Sequence, residues 1–245
     1  RRYLDLHYDA HSSLEVLPYL VQYCNDTPQQ GSNDIPGNMI LGIAGGSGSG
    51  KTTLTKKLYE QLGEENLVIL YHDSYYKDIT HLTLEERAKT NFDHPDSLDT
   101  ELLIQHVQEL RKGQTIEVPT YDFATHSRTS TTTRVSPRNI IIVEGILIFS
   151  NVELVRHLDL KIYVDSDPDI RFIRRLQRDV AERGRTVDDV CTQYQEQVRP
   201  MHERFVEPSK YSADIIVHST RGDDTSMGAT IRMVLNHLRV EAGLV

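Results

Sequence analysis

A lysine and two threonines, Lys51-Thr52-Thr53, follow directly on Gly45-Gly46-Ser47-Gly48-Ser49-Gly50. A glycine–serine tract by itself reads as a flexible linker. The flanks argue against that here. Met39–Ala44 upstream is an apolar run of strand length, and Leu54, Leu58 and Leu62 downstream recur at helical spacing. The order is buried strand, glycine turn, amphipathic helix. Gly45, Gly50, Lys51 and Thr52 satisfy G-x-x-x-x-G-K-[ST], the P-loop pattern. Glycines let successive backbone N–H groups curl inward toward phosphate oxygens, and the helix N-terminus adds partial positive charge. Lys51 can then reach the β- and γ-phosphates of a nucleotide, and the Thr52 hydroxyl can ligate Mg2+. Gly46, Ser47, Gly48, Ser49 and Thr53 complete the cradle.

Two carboxylates stand where a P-loop could use them. In open α/β sheets, ligands lie beyond the carboxyl ends of the strands. Asp73 follows the apolar run ending at Tyr71, and Glu144 follows the run 140–143. One can act as base toward an attacking hydroxyl, and the other can hold Mg2+ directly or through water. A lone strand-end acid is usually a helix cap or a surface charge. A pair on neighbouring strands of a P-loop protein points to function.

Arg171, Arg174, Arg175 and Arg178 fall at i, i+3, i+4 and i+7, on one helix face, and Arg183 and Arg185 follow around Gly184. A solvated face paired with Asp167, Asp169, Asp179 and Glu182 is the ordinary reading of such a run, and surface pairs contribute little. Against it, this acidic chain holds no comparable cluster elsewhere, and Gly184 reads as a mobile turn. Arginines over a phosphate site would neutralise the charge of a transferring phosphoryl group. Two further stretches stay open on periodicity alone. NFDHPDSLD (91–99), with Phe92, Asp93, His94 and Asp96, is either a binding segment or a helix-entry loop capped by Asp99. PTYDFATHSR (119–128) offers Tyr121 and Phe123 on one face, with His126 nearby. It is either a surface on which a base stacks or a small satellite core.

The elements that must position these residues follow from the rest of the chain. Its 245 residues suit one α/β domain with a small appendage. A net charge of −9 and a pI of about 5.6 weigh against general binding to nucleic acid or an anionic membrane. No apolar run approaches the roughly 20 residues that span a bilayer, and the first residues lack a signal-peptide core. Two cysteines, Cys24 and Cys191, have no metal-ligand spacing and read as reduced thiols of a cytoplasmic protein. The chain opens on Arg rather than Met, which fits a piece of something longer. Apolar runs at 66–71, 139–143, 160–164 and 214–217 predict buried strands beside Met39–Ala44. Helical patterns run over 99–112, 167–182, 187–198 and 225–240, with Asp99, Asp167 and Asp188 placed as N-caps or first-turn acids. Such alternation implies a doubly wound parallel sheet. Residues 115–137, rich in Thr, Val, Tyr and Phe, predict a β-hairpin projecting from it. Residues 1–38 carry no chemistry. Leu14, Leu17, Leu20 and Val21 suggest a short helix interrupted at Pro18, followed by a linker-like stretch. The division is a 1–38 extension of unknown role and a 39–245 domain.

Together, GIAGGSGSGKTT, HDSYYKD, NFDHPDSLD, PTYDFATHSR, IIVEGIL, RRLQRDVAERGR, VRPM and EPSKYSADIIV resemble the uridine kinase (uridine–cytidine kinase) family of P-loop nucleoside kinases. The likeness runs from about residue 39 to 217. It implies a P-loop NTPase-like α/β fold with a projecting hairpin and an arginine-rich helical lid. It implies transfer of phosphate from ATP or GTP, with Mg2+, to the 5′-hydroxyl of uridine and cytidine in pyrimidine salvage. By resemblance, Asp73 matches the catalytic base, and Thr52 and Glu144, with Asp73, match the Mg2+ side. Asp93 and Arg175 match residues that grip the ribose hydroxyls. Tyr121, Phe123 and His126 match the base pocket, with Phe92 at its edge and Arg185 and Gln193 as further nucleoside contacts. Arg178 and Arg183 match lid arginines that meet the donor phosphates. The resemblance also implies a homotetramer inhibited by UTP and CTP. The departures are the N-terminal extension and a P-loop richer in glycine and serine than relatives often carry.

Other readings are weaker. A phosphoribulokinase or pantothenate kinase shares the P-loop, but aromatics beside His126 favour an acceptor that bears a base. A GTPase switch would need D-x-x-G and N-K-x-D, and neither follows Gly45. Intact Lys51, Asp73 and Glu144 argue against a dead regulator.

Overall fold

The computed structural model describes residues 38–219 and 224–244. The expected helix around Leu17 lies outside the described residues, as does most of the linker-like stretch after it. Seven strands and seven longer helices follow in the described chain. They run β1 Met39–Ala44, α1 Lys51–Leu62, β2 Leu67–Tyr71, α2 Leu84–Ala88, α3 Thr100–Arg111, β3 Ile116–Asp122 and β4 Ser127–Val135. Then come β5 Ile140–Glu144, α4 Val152–Arg156, β6 Leu160–Asp165, α5 Pro168–Arg183, α6 Val187–Gln193, β7 Ile215–His218 and α7 Asp224–Glu241.

Five parallel strands form the main sheet in the order β2-β5-β1-β6-β7. Every residue of β1 and of β5 is buried, as continuous apolar runs require when both faces of a parallel sheet are covered. Register matters most for the site. Tyr71 pairs with Glu144 and Ile43 pairs with Glu144, so β2, β5 and β1 end level with one another. The chain segments leaving these three strands therefore emerge side by side.

The hairpin of β3 and β4 is a separate two-stranded antiparallel sheet with a bulge between Pro119 and Tyr121. Its tip is tight enough to place His126 at φ 50°, in the left-handed region. The expected strands and long helices are present with ends shifted by a residue or so. Asp99 caps α3 by accepting from Leu102 N–H, Asp167 stands at the N-cap of α5 without a side-chain capping bond, and Asp188 is a first-turn acid of α6, which Thr186 caps. Gly184 is the left-handed C-cap of α5 at φ 63°, the helix end at which the turn to Arg185 begins. The helix expected to stop at Val198 continues past Pro200, through π-helical turns at Tyr194–Val198 and His202–Val206. A proline has no N–H to place in the ladder, and such wider turns on either side accommodate its loss. Among the described residues, no helix is long and apolar enough to cross a membrane.

Candidate active site

The P-loop end is shaped by backbone. Gly48 sits at φ 80°, and a Cβ on it would lie 2.3 Å from the carbonyl oxygen of Arg171. A Cβ on Gly45 would lie 2.2 Å from that of Val164. Only glycine fits at either point. No side chain caps α1 at Gly50, so its first-turn N–H groups stay available to an anion. Lys51 Nζ donates to Gly46 O at 3.1 Å and is nearly buried; burial lowers its pKa, while Glu144 and Asp73 act to raise it. Thr52 Oγ1 donates to Glu144 Oε2 at 3.1 Å. Glu144 is itself buried, and its pKa is raised by that burial. The buried Ser49 hydroxyl has no hydrogen-bond partner.

Asp73 lies on the 3-10 turn His72–Tyr75 that leaves β2. Its charge acts on Lys51 and Glu144 on one side and on Tyr76 and Asp93 on the other. It lines the same cavity as the P-loop residues and as Tyr76, Phe92 and Asp93. His72 beneath it is fully enclosed, meets Thr100 Oγ1 through Nε2 at 3.1 Å, and has its pKa lowered by burial to about 4.

The hairpin end is shaped by side chains. Tyr76 meets Phe92 at 5.3 Å and Tyr121 at 5.0 Å between ring centres, and Tyr121 meets Phe123 at 5.2 Å. Phe92 and His126 stack at 5.2 Å and 15°. Periodicity left open whether these aromatics form a packed core or a binding surface. Tyr121 joins the hydrophobic core and Phe92 packs against it, while both also face the cavity. The Tyr121 hydroxyl is buried with no hydrogen-bond partner, a polar group on an apolar wall. Burial raises the pKa of Asp93, which Arg175 counteracts.

The arginine face of α5 is not the solvated run of the ordinary reading. Arg171 and Arg175 are only 5% and 6% exposed. Arg171 Nε donates to Ser166 O and Nη2 meets His202 Nε2, behind the P-loop. Arg175 Nη1 donates to Ser47 Oγ at 3.0 Å and Nη2 to Gln193 Oε1 at 2.9 Å. Gln193 Oε1 also accepts from Arg185 Nη1. Arg183 lies 5.6 Å over the Phe123 ring, a cation–π contact from the helix end to the hairpin.

Most of these groups line one cavity of about 950 Å³. Of the site residues singled out in the sequence, Gly45, Gly46, Ser49, Arg171, His94 and Asp96 do not line it, and the others do. Sequence reasoning missed Tyr76, Lys56 and Ile146 on the wall, and did not single out Asp179. Tyr76 alone had a signal, its place three residues after Asp73.

A P-loop at the end of a central strand, two carboxylates on adjacent strands and an arginine-bearing helix define a P-loop phosphotransferase. The profile of the Phosphoribulokinase / Uridine kinase family matches residues 40–226, and the chain belongs to that family. It is 53% identical over 179 residues to the uridine kinase of Clostridium novyi (strain NT), covering 73% of this chain and 86% of that protein. To the uridine kinase of Geobacillus kaustophilus (strain HTA426) it is 51% identical over 179 residues, covering 73% and 85%. The D-glycerate 3-kinase structure from Cryptococcus neoformans has a TM-score of 0.57 at 16% identity, covering 83% of this chain and 92% of that one. Phosphoribulokinase from Rhodobacter spheroides has 0.54 at 18%, covering 75% and 71%. These two share the fold. The chain is a nucleoside kinase of the uridine kinase family.

Proposed function

We propose that this kinase transfers the γ-phosphoryl group of ATP, or of GTP, to the 5′-hydroxyl of uridine and cytidine. The observation that carries the reading is the cavity itself. A phosphate cradle and an aromatic wall share one space, and the carboxylate of Asp73 acts on groups at both ends.

In this reading the base stacks among Phe92, Phe123 and His126, while the unpartnered Tyr121 hydroxyl, Arg185 and Gln193 meet its polar edge. Asp93 accepts hydrogen bonds from the ribose hydroxyls and Arg175 donates to them. Asp73 takes the proton of the 5′-hydroxyl as that oxygen attacks. The P-loop N–H groups and Lys51 hold the donor phosphates. Arg178 and Arg183 meet the charge that spreads over the transferred group. Mg2+ fits the residues present: one hydroxyl and two carboxylates, Thr52, Glu144 and Asp73, are oxygen ligands of the kind it takes alongside substrate phosphates. When bound, it would neutralise phosphate charge.

The same reading places the enzyme in pyrimidine salvage in the cytoplasm, as a homotetramer that UTP and CTP inhibit. The reading keeps 39–245 as the catalytic domain and leaves the role of residues 1–38 open. A panel of nucleosides and ribulose 5-phosphate, assayed with ATP–Mg2+ for ADP release, tests the reading. Turnover confined to uridine and cytidine is expected. Turnover of the sugar phosphate in place of nucleosides would overturn it.

A further inference from the structure

Asp179 is the buried carboxylate that the proposed chemistry leaves unused. It is 0% exposed and does not line the cavity. Its Oδ1 accepts from Arg178 through Nε at 2.9 Å and lies 2.8 Å from Nη2. The same oxygen lies 3.4 Å from Arg183 Nη1, and Oδ2 lies 3.5 Å from Arg175 Nε. Its backbone carbonyl accepts the N–H groups of Gly184 and Arg185. One residue thus ties together three guanidinium groups that line the cavity and the turn that presents Arg185.

Carboxylates are almost never fully buried unless paired, and a pair fixes geometry only where it is desolvated. Three cations around one anion also leave net positive charge on the wall, so the cluster still attracts phosphate. The contacts are unequal. Arg178 presents two nitrogens to one oxygen, while Arg175 and Arg183 stand farther off and have other partners in Ser47, Gln193 and the Phe123 ring. The orientation of Arg178 therefore depends most on Asp179.

We propose that Asp179 is a positioning residue that aims Arg178 at the transferred phosphoryl group. The inference rests on the donor-side role given to Arg178 above. Asp179 touches no substrate in it and acts only through the guanidinium.

The test is a double-mutant cycle in the full chain, with uridine and ATP–Mg2+. D179N keeps the side-chain shape and removes the charge. It is expected to lower kcat about tenfold or more while the KM for uridine stays within about threefold, the pattern of an interaction lost in the transition state. R178A is expected to lower kcat at least as far. In the R178A background, D179N should cost less than about threefold more, because residues that act as one unit are not additive. A kcat for D179N within about twofold of the parent, or two effects that multiply, overturns the inference. An unchanged kcat for R178A overturns the donor-side role itself and with it the inference. If D179N melts below the assay temperature, D179E moves the charge by one methylene. Reduced kcat at unchanged KM then supports the inference, and parent kcat overturns it.

Discussion

The P-loop end and the hairpin end of the cavity are held in place by different means. At the P-loop end, β1 and β5 are buried along their whole length, and the turn between β1 and α1 passes where a Cβ would collide with backbone. Its geometry belongs to the main chain. The hairpin is no part of the main sheet. It is fastened by Arg128, which donates to Tyr76 O at 2.9 Å and Tyr75 O at 3.0 Å and pairs with Asp99 at 3.2 Å, and by the aromatic contacts around Tyr76. Its geometry belongs to side chains. The lesson is that the phosphate end should tolerate almost nothing, while the nucleoside end should be tunable.

The largest effects should follow from the P-loop end. Lys51→Ala loses a buried positive charge, and Asp73→Asn keeps shape but removes the proton acceptor. Each is expected to nearly abolish turnover, and general-base help alone is worth about 10²–10⁴-fold. Steady-state kcat with uridine checks this. Near-normal kcat in Asp73→Asn would remove Asp73 from the role of base.

Discrimination at the nucleoside end should be smaller. A deoxynucleoside leaves part of the Asp93–Arg175 pair without a partner, at a cost of roughly 1–3 kcal/mol and more for a charged group. Sites built to bind a hydroxyl reject analogues lacking it strongly, so kcat/KM for deoxyuridine should fall by about 10² or more relative to uridine. Asp93→Ala should shrink that ratio. Equal values for the two nucleosides in the parent enzyme would contradict the ribose contact.

Arg128→Ala tests the fastening of the hairpin directly. It removes two hydrogen bonds to backbone and one ion pair, all half-buried, and leaves the P-loop untouched. Hydrogen bonds to charged groups contribute about 1.5–3 kcal/mol, so the KM for uridine should rise by about tenfold or more, with the KM for ATP within about twofold. Equal rises in both would show that the two ends are not held independently.

The smallest effect should come from outside the cavity. Removal of residues 1–37 keeps Asn38, whose Nδ2 donates to Leu110 O at 3.0 Å, and should leave kcat and both KM values within about twofold. Loss of activity or solubility would assign the segment a packing role on the domain or its assembly.

How far each end could be read in advance follows the same division. The P-loop, Asp73 and Glu144 were legible because strand, turn and helix are local patterns and ligands gather at strand ends. The aromatic residues were legible as types but not as a wall. Tyr76, Phe92 and Tyr121 come from three separate segments, and no periodicity says that their rings meet. The arginine run was legible as a helix face, but its burial was not, because that depends on the P-loop packed against it.

By itself, then, the sequence determined the P-loop strand and helix, the alternation that builds a parallel sheet, the hairpin and the acids at the strand ends. Each follows from spacing along a few neighbouring residues. Only the tertiary structure decided that Glu144 stands level with Tyr71 and Ile43, and that Arg175 reaches Ser47. It alone decided that Asp179, one acid among several on a charged helix, is sealed among three arginines. A carboxylate with the same helical neighbours can be solvated or buried, and the difference lies in what packs over it, which no local pattern records.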